Sequence, residues 1–242
     1  AIGNIGSQLT VEQCFFDHCV RIVELEGETK GYHGFTFRYN LIDTAIEWAI
    51  PILAGPNSRD VGGVKITDND FIVNDPASVD ATARTILLQR GHNIEISRNK
   101  FYGSQGTVVD INVQGTGDLS VSNVTIAGNT FISNKYQILL RGDPTGPKLI
   151  ENINIIDNTF LNNIGGQTID VEATWVTFAG NDFVQWGDDV SHCMITVRNP
   201  GVGYRPATNV WIHDNMFRQR SPGVGTNAIR VDAGTTNTMF HS

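Results

Sequence analysis

Apolar and polar residues alternate along most of this chain in short pieces, punctuated by Asn, Gly and Asp. One phrase recurs: apolar, any, apolar, two residues, Asn, any, Phe. It reads VKITDNDF at Val64–Phe71, IEISRNKF at Ile94–Phe101 and VTIAGNTF at Val124–Phe131. It continues as INIIDNTF at Ile153–Phe160, VTFAGNDF at Val176–Phe183 and VWIHDNMF at Val210–Phe217. Two looser copies precede these, LTVEQCFF with Cys14 in the Asn slot and FTFRYNLI with Asn40, and a damaged last copy lies in NTMFHS. The slots at 14, 40, 69, 99, 129, 158, 181 and 215 stand 26, 29, 30, 30, 29, 23 and 34 residues apart.

A second alternating segment lies between successive phrases: RTILLQ, VDINVQ, YQILLR, QTIDVE, CMITVR and NAIRVD. Each repeat is therefore a pair of short strands joined by turns, and no segment sustains the 3.6-residue period of an amphipathic helix. A period that varies above a minimum suits one coil of a solenoid with loop insertions, because insertions leave strand stacking undisturbed. Alternation sends Val and Ile inward on every coil, and coils stack about 4.8 Å apart. The recurrent Asn falls at a turn, where its amide can bond the Asn above and below. The Phe that follows would fill the same corner.

These repeats, from about Leu9 to Phe217, resemble the right-handed parallel β-helix (pectin-lyase-like) superfamily. That superfamily includes polysaccharide lyases, polygalacturonases, mannuronan epimerases and phage tailspikes. The resemblance implies an all-β fold, a right-handed single-stranded parallel β-helix of about 8–9 coils with an Asn ladder, as one domain over residues 1–242. It implies little about activity, since the repeat encodes the core. The chain enters its first coil almost at once and stops at its last. That leads us to expect missing end caps, supplied by flanking domains of a longer chain or by partners in a homotrimer.

Composition narrows the partners. Seventeen basic against 25 acidic side chains give a net charge of −8, which argues against nucleic acid or an anionic membrane surface. No apolar run is long enough to span a bilayer. Cys14, Cys19 and Cys193 form no disulfide framework or zinc pattern and read as small core side chains. They leave the compartment open, whereas the resemblance implies an extracellular, virion or cell-surface location.

The inward pairs of the second strand read Ile46/Trp48, Ile86/Leu88, Ile111/Val113, Ile138/Leu140, Ile169/Val171, Ile195/Val197 and Ile229/Val231. Between each pair runs an outward column of Glu47, Leu87, Asn112, Leu139, Asp170, Thr196 and Arg230. The next outward column ends Gln114, Arg141, Glu172, Arg198, Asp232, a ladder of alternating sign that would neutralise an exposed face. The turn after Val171 is the shortest, between two long loops, and so makes a notch carrying Asp170, Glu172 and Trp175. The flanking loops offer Asp143 and Lys148 on one side, Tyr204 and Arg205 on the other. A milder notch carries Gln89, Arg90 and His92.

Asp170 and Glu172 are alternate residues of one strand face, about 6.6 Å apart along it. Glycosidases place two carboxylates about 5–5.5 Å apart for retention or about 6.5–9.5 Å for inversion, so the spacing is compatible with either. Trp175 and Tyr204 would stack on sugar rings. In NDFVQWGDD, Asp188 and Asp189 resemble the paired aspartates of a polygalacturonase segment, with Asp170 one coil upstream. The chain departs from that pattern: three residues precede the strand CMITV, and the family's Gly-His-Gly and Arg-x-Lys have no counterparts, leaving His192 as the nearest imidazole. A uronate lyase or epimerase would instead need a cation and a base, for which Arg198, Arg230, His213 and Tyr204 are the right types.

The expected function is therefore cleavage of a polysaccharide, by hydrolysis rather than elimination. Asp170, Glu172, Asp188 and Asp189 would be catalytic, with Trp175, Arg198, Tyr204, Arg205 and Arg230 on the substrate. No cofactor is implied, and calcium enters only for a lyase, bridging an acidic substrate to this acidic chain. The alternative is a non-catalytic β-helix, the shaft or glycan-binding module of a tailspike or surface fibre.

Overall fold

A computed structural model describes residues 8–26, 32–53, 61–72, 83–113, 120–142, 149–163, 168–186, 193–199, 206–218 and 227–241. Among them all strand pairings are parallel and no helix occurs, so none is long and apolar enough to cross a membrane. The strands stack on three faces. The first face carries the apolar start of each phrase, in nine strands from Leu9–Glu12 to Thr236–His241, in chain order. The second carries the short strands after each Asn, such as Lys100–Tyr102 and Thr130–Ile132. The third carries the second segment of each repeat, from Arg84–Leu88 to Asn227–Val231. The long strand Leu41–Leu53 runs through both of the latter faces, pairing with Asp70–Ile72 and with Arg84–Leu88. This is a right-handed parallel β-helix.

The asparagine column is as the spacing requires. Asn40, Asn69, Asn99, Asn129, Asn158 and Asn181 are buried. The backbone N–H and the side-chain amide of each donate to the Oδ1 of the next, as Asn99 does to Asn129 at 2.9 and 3.1 Å. Asn181 does the same to Asn215. Cys14 joins through its backbone alone, its N–H donating to Asn40 Oδ1 at 3.0 Å. The residue before each Asn is left-handed, with φ of 59° at Asp68, 54° at Arg98, 62° at Gly128 and 65° at Gly180. Asp and Gly suit that conformation, which explains their recurrence in the slot.

Phe71, Phe101, Phe131, Phe160, Phe183 and Phe217 stack with successive centroids 4.7–5.1 Å apart. Ile42 replaces the ring in the second coil, and Phe37 from the first face comes within 5.9 Å of Phe16 and 6.4 Å of Phe71. The damaged last copy is a true ninth strand of the first face, with Thr238 against Val210 and Phe240 against Ile212.

Two inward pairs differ from expectation. Ile50 and Ile52, rather than Ile46 and Trp48, oppose Ile86 and Leu88. Val109 and Ile111, rather than Ile111 and Val113, oppose Ile138 and Leu140. An alternating run tolerates a slide by two or four residues without moving any side chain to the wrong face, so pattern alone does not choose between them. The correction places Pro51 and Asp110 in the first outward column, with Asn112 instead of Gln114 beside Arg141. Cys193 is buried as expected, but Cys14 is exposed and Cys19 half-buried.

Candidate functional site

The third face concentrates the ionisable groups. Asp170, on the strand Ile169–Val171, lies between Leu139 and Thr196 of the neighbouring coils. Val171 ends this strand, and only Glu172 and Ala173 separate it from Thr174–Ala179 of the first face. The tightness of that turn shows at Gly142 of the preceding coil, where a methyl group would meet the Glu172 carbonyl oxygen at 2.8 Å.

The charge ladder is present as a column, but its bonds run diagonally. Arg198 Nε donates to Asp170 Oδ1 at 2.6 Å. Arg141 Nη2 donates to Asp110 Oδ2 at 2.8 Å, and Arg84 also binds that oxygen. Arg230 Nε reaches Asp232 Oδ1, just past the end of its own strand, at 3.0 Å. The guanidinium arm is longer than the coil spacing, so Arg141 and Arg198 both pass over Glu172 beside them and reach Asp110 and Asp170 instead. Asp110, wholly buried between two arginines, was hidden from the sequence by the register slide.

Glu172 is consequently the member of the ladder outside every ion pair among the described residues. Its Oε2 is buried without a hydrogen-bond partner, while the Gly142 N–H donates to the carboxyl group. Burial foremost, then the Asp170 carboxylate, pushes its pKa up to about 7, against the opposing pull of Arg198, Gly142 and Arg141. Burial also raises the pKa of Asp170, opposed by the Arg198 hydrogen bond. Two neighbouring carboxyl groups, one on the strand and one in the turn after it, thus differ in state: one is clamped by a guanidinium, the other holds a proton near neutrality. Environments that separate paired carboxyls in this way characterise acid–base chemistry.

The remaining candidates are dispersed. Trp175 lies round the corner on the first face, 58% exposed. His213 is a surface group with Nδ1 2.8 Å from Asp214. Asp188, Asp189, His192, Tyr204, Arg205, Asp143 and Lys148 lie outside the described residues. The sequence reading missed Asp110, and it placed Thr196 in the outward column without a role; its buried hydroxyl has no partner between Asp170 and Arg230. Among the described residues no three His, Cys, Asp or Glu side chains converge.

No family model and no curated protein matches this chain. Among solved structures, the tailspike protein of Acinetobacter baumannii phage AM24 is similar over 98% of this chain at 15% identity, with a TM-score of 0.52. The chain spans 46% of that protein's length. Two trypsin-treated forms of QnrB1, a plasmid-mediated fluoroquinolone resistance protein, align over 94% and 93% of the chain at 12% identity. They cover 91% and 92% of those chains, but TM-scores of 0.26 and 0.21 carry no argument about fold. Three parallel faces, the internal Asn ladder and the tailspike likeness together give this chain the fold of the parallel β-helix superfamily.

Proposed function

We propose that this β-helix cleaves a polysaccharide on its third face, as a glycoside hydrolase with Glu172 as the acid and Asp170 as the base. The observation that carries the reading is the Glu172 carboxyl, its pKa pushed to about 7 beside an arginine-clamped Asp170. Glu172 would give its proton to the glycosidic oxygen as the C–O bond breaks. Water would attack the anomeric carbon from the opposite side and pass its proton to the Asp170 carboxylate. Alternate positions on a strand are about 6.6 Å apart, at the lower edge of the inverting range. Arg198 and Arg230 are engaged by Asp170 and Asp232, which disfavours their use on a uronate and so disfavours elimination. Asp188, Asp189, Tyr204 and Arg205 remain proposed contributors from the neighbouring loops.

A second reading is favoured by those same ion pairs. Arg84, Arg141, Arg198 and Arg230 all meet carboxylates within the face, as the shaft or glycan-binding module of a surface fibre would require. The fold likeness to a phage tailspike supports a virion or cell-surface setting for either reading. Incubation with neutral and acidic polysaccharides, read by reducing ends and by the ultraviolet absorbance of unsaturated uronate, separates them. Reducing ends without absorbance, lost in a folded Glu172→Gln variant, are expected. Cleavage that survives Glu172→Gln overturns the site, and silence on every polymer selects the shaft.

A further inference from the structure

The first face carries a different kind of surface. Its outward positions form an open groove of about 510 Å³, lined mostly by amide groups with one hydroxyl, the Lys65 and Glu95 side chains and Ile94. One side is a column of Asn93, Asn123 and Asn152, each exposed and each left-handed, with φ of 54–56°. The other is the next column, where Thr125 and Asn154 follow Lys65 and Glu95. Lys65 and Glu95 are cross-strand neighbours of opposite charge, so the groove as a whole is neutral.

The left-handed conformation by itself accounts for asparagine in the first column, since Asn adopts it at little cost. It does not account for Trp175, which continues that column with φ 57°. A bulky residue there is a backbone outlier, and this one recovers only part of its surface by burial, being 58% exposed. The second column likewise continues through Thr177 to Trp211, which is 50% exposed. Two indole rings on adjacent coils therefore stand at the end of a neutral floor of amides.

We infer that this groove, with Trp175 and Trp211 at its end, binds a neutral oligosaccharide chain running along the solenoid axis, as a site separate from the carboxylates of the third face. Amide groups that both donate and accept suit vicinal hydroxyls. Exposed indoles suit the apolar faces of sugar rings. The coil spacing of about 4.8 Å is close to the length that one sugar adds to an extended chain, so successive coils offer equivalent contacts to successive residues. A neutral floor holds no cation in excess to favour an acidic polymer.

The test is electrophoresis of the whole chain through native gels containing dextran, galactomannan or laminarin, with polygalacturonate as the acidic comparison. Retardation by at least one neutral polymer is expected. Trp175→Asn restores the residue type of the column and so keeps the left-handed turn; it should melt no lower than the parent while its apparent affinity falls about tenfold. Glu172→Gln, which cannot turn the polymer over in the proposed cleavage, is run beside the parent so that retardation reports binding alone. No retardation in any neutral gel, retardation by polygalacturonate alone, or retardation unchanged in Trp175→Asn each overturns the inference.

Discussion

Arg198 reaches past Glu172, its neighbour in the outward column, to bind Asp170 at 2.6 Å. The carboxylate that the ladder would neutralise is thereby left to hold a proton, while the one beside it is fixed in place. Removing the arginine would leave Asp170 half-buried next to a second carboxyl group. Arg198→Ala should lower stability by about 1–2 kcal/mol, less than for a fully buried pair because both side chains retain some solvent. Asp170→Asn in that background should restore part of the loss, and a double-mutant cycle in urea measures the coupling. Additive effects would remove the clamp from the account.

Glu172 makes stability depend on pH in an uncommon direction. Its pKa rises from 4.5 in the unfolded chain to about 7 in the folded one. The native state therefore binds more protons between these values, and its contribution to stability is present below pH 4.5 and lost as pH rises to about 7. Glu172→Gln should be more stable than the parent at pH 8, by about 2 kcal/mol, and equal to it at pH 4. Thermal melts of both proteins across that range check the sign.

The same group sets the pH limb of the proposed cleavage. A general acid must be protonated, so activity should fall with rising pH through about 7. A rate that instead rises through that pH would reassign Glu172 as a base.

Asn129 donates to Ile96 O at 2.8 Å and to Asn158 Oδ1 at 3.0 Å, and accepts both bonds from Asn99. Asn129→Ala strands these buried partners and should cost about 1–3 kcal/mol. An unchanged melting temperature would mean that the column contributes no net stability.

The left-handed slot before each Asn supplies a paired comparison. At Gly128 the nearest atom to an added methyl is Arg98 Cγ at 3.8 Å, so Gly128→Asp should cost only the strain of a left-handed side chain, about 1 kcal/mol or less. At Gly180 the same atom would collide with the Asp157 carboxylate, and Gly180→Asp should destabilise. Matched denaturation curves test whether conformation or space governs the slot.

The phrase carried the fold because its Asn and Phe are unambiguous landmarks, as the stacked column from Asn40 to Asn215 bears out. The segments lacking a landmark were less legible. VVDINV offers Val109, Ile111 and Val113 to a two-residue core, and only pairing with Ile138 and Leu140 selects the first two. The partners of Arg141 and Arg198 were hidden because side-chain reach exceeds the coil spacing, so adjacency in a column does not determine the bond. Glu172 was legible as a candidate, but its isolation followed only from those diagonal bonds. The amide column of the first face did have a signal: Asn precedes the apolar start of the phrase at 93, 123, 152 and 209, Gly does at 34 and 63, and Trp175 is the one bulky aromatic residue there among the described copies.

The asparagine ladder also bears on how faithfully the coils align while the chain folds. From Asn69 onward each Oδ1 takes two bonds from the preceding coil, although successive asparagines are separated by anything from 23 to 34 residues. A coil docking one residue out of place would orphan both donors and turn its valines to water, so the error is rejected locally instead of being copied onward. The amides thus act as a checkpoint at every turn of the solenoid, which leaves the intervening loops free to change length without corrupting the stack.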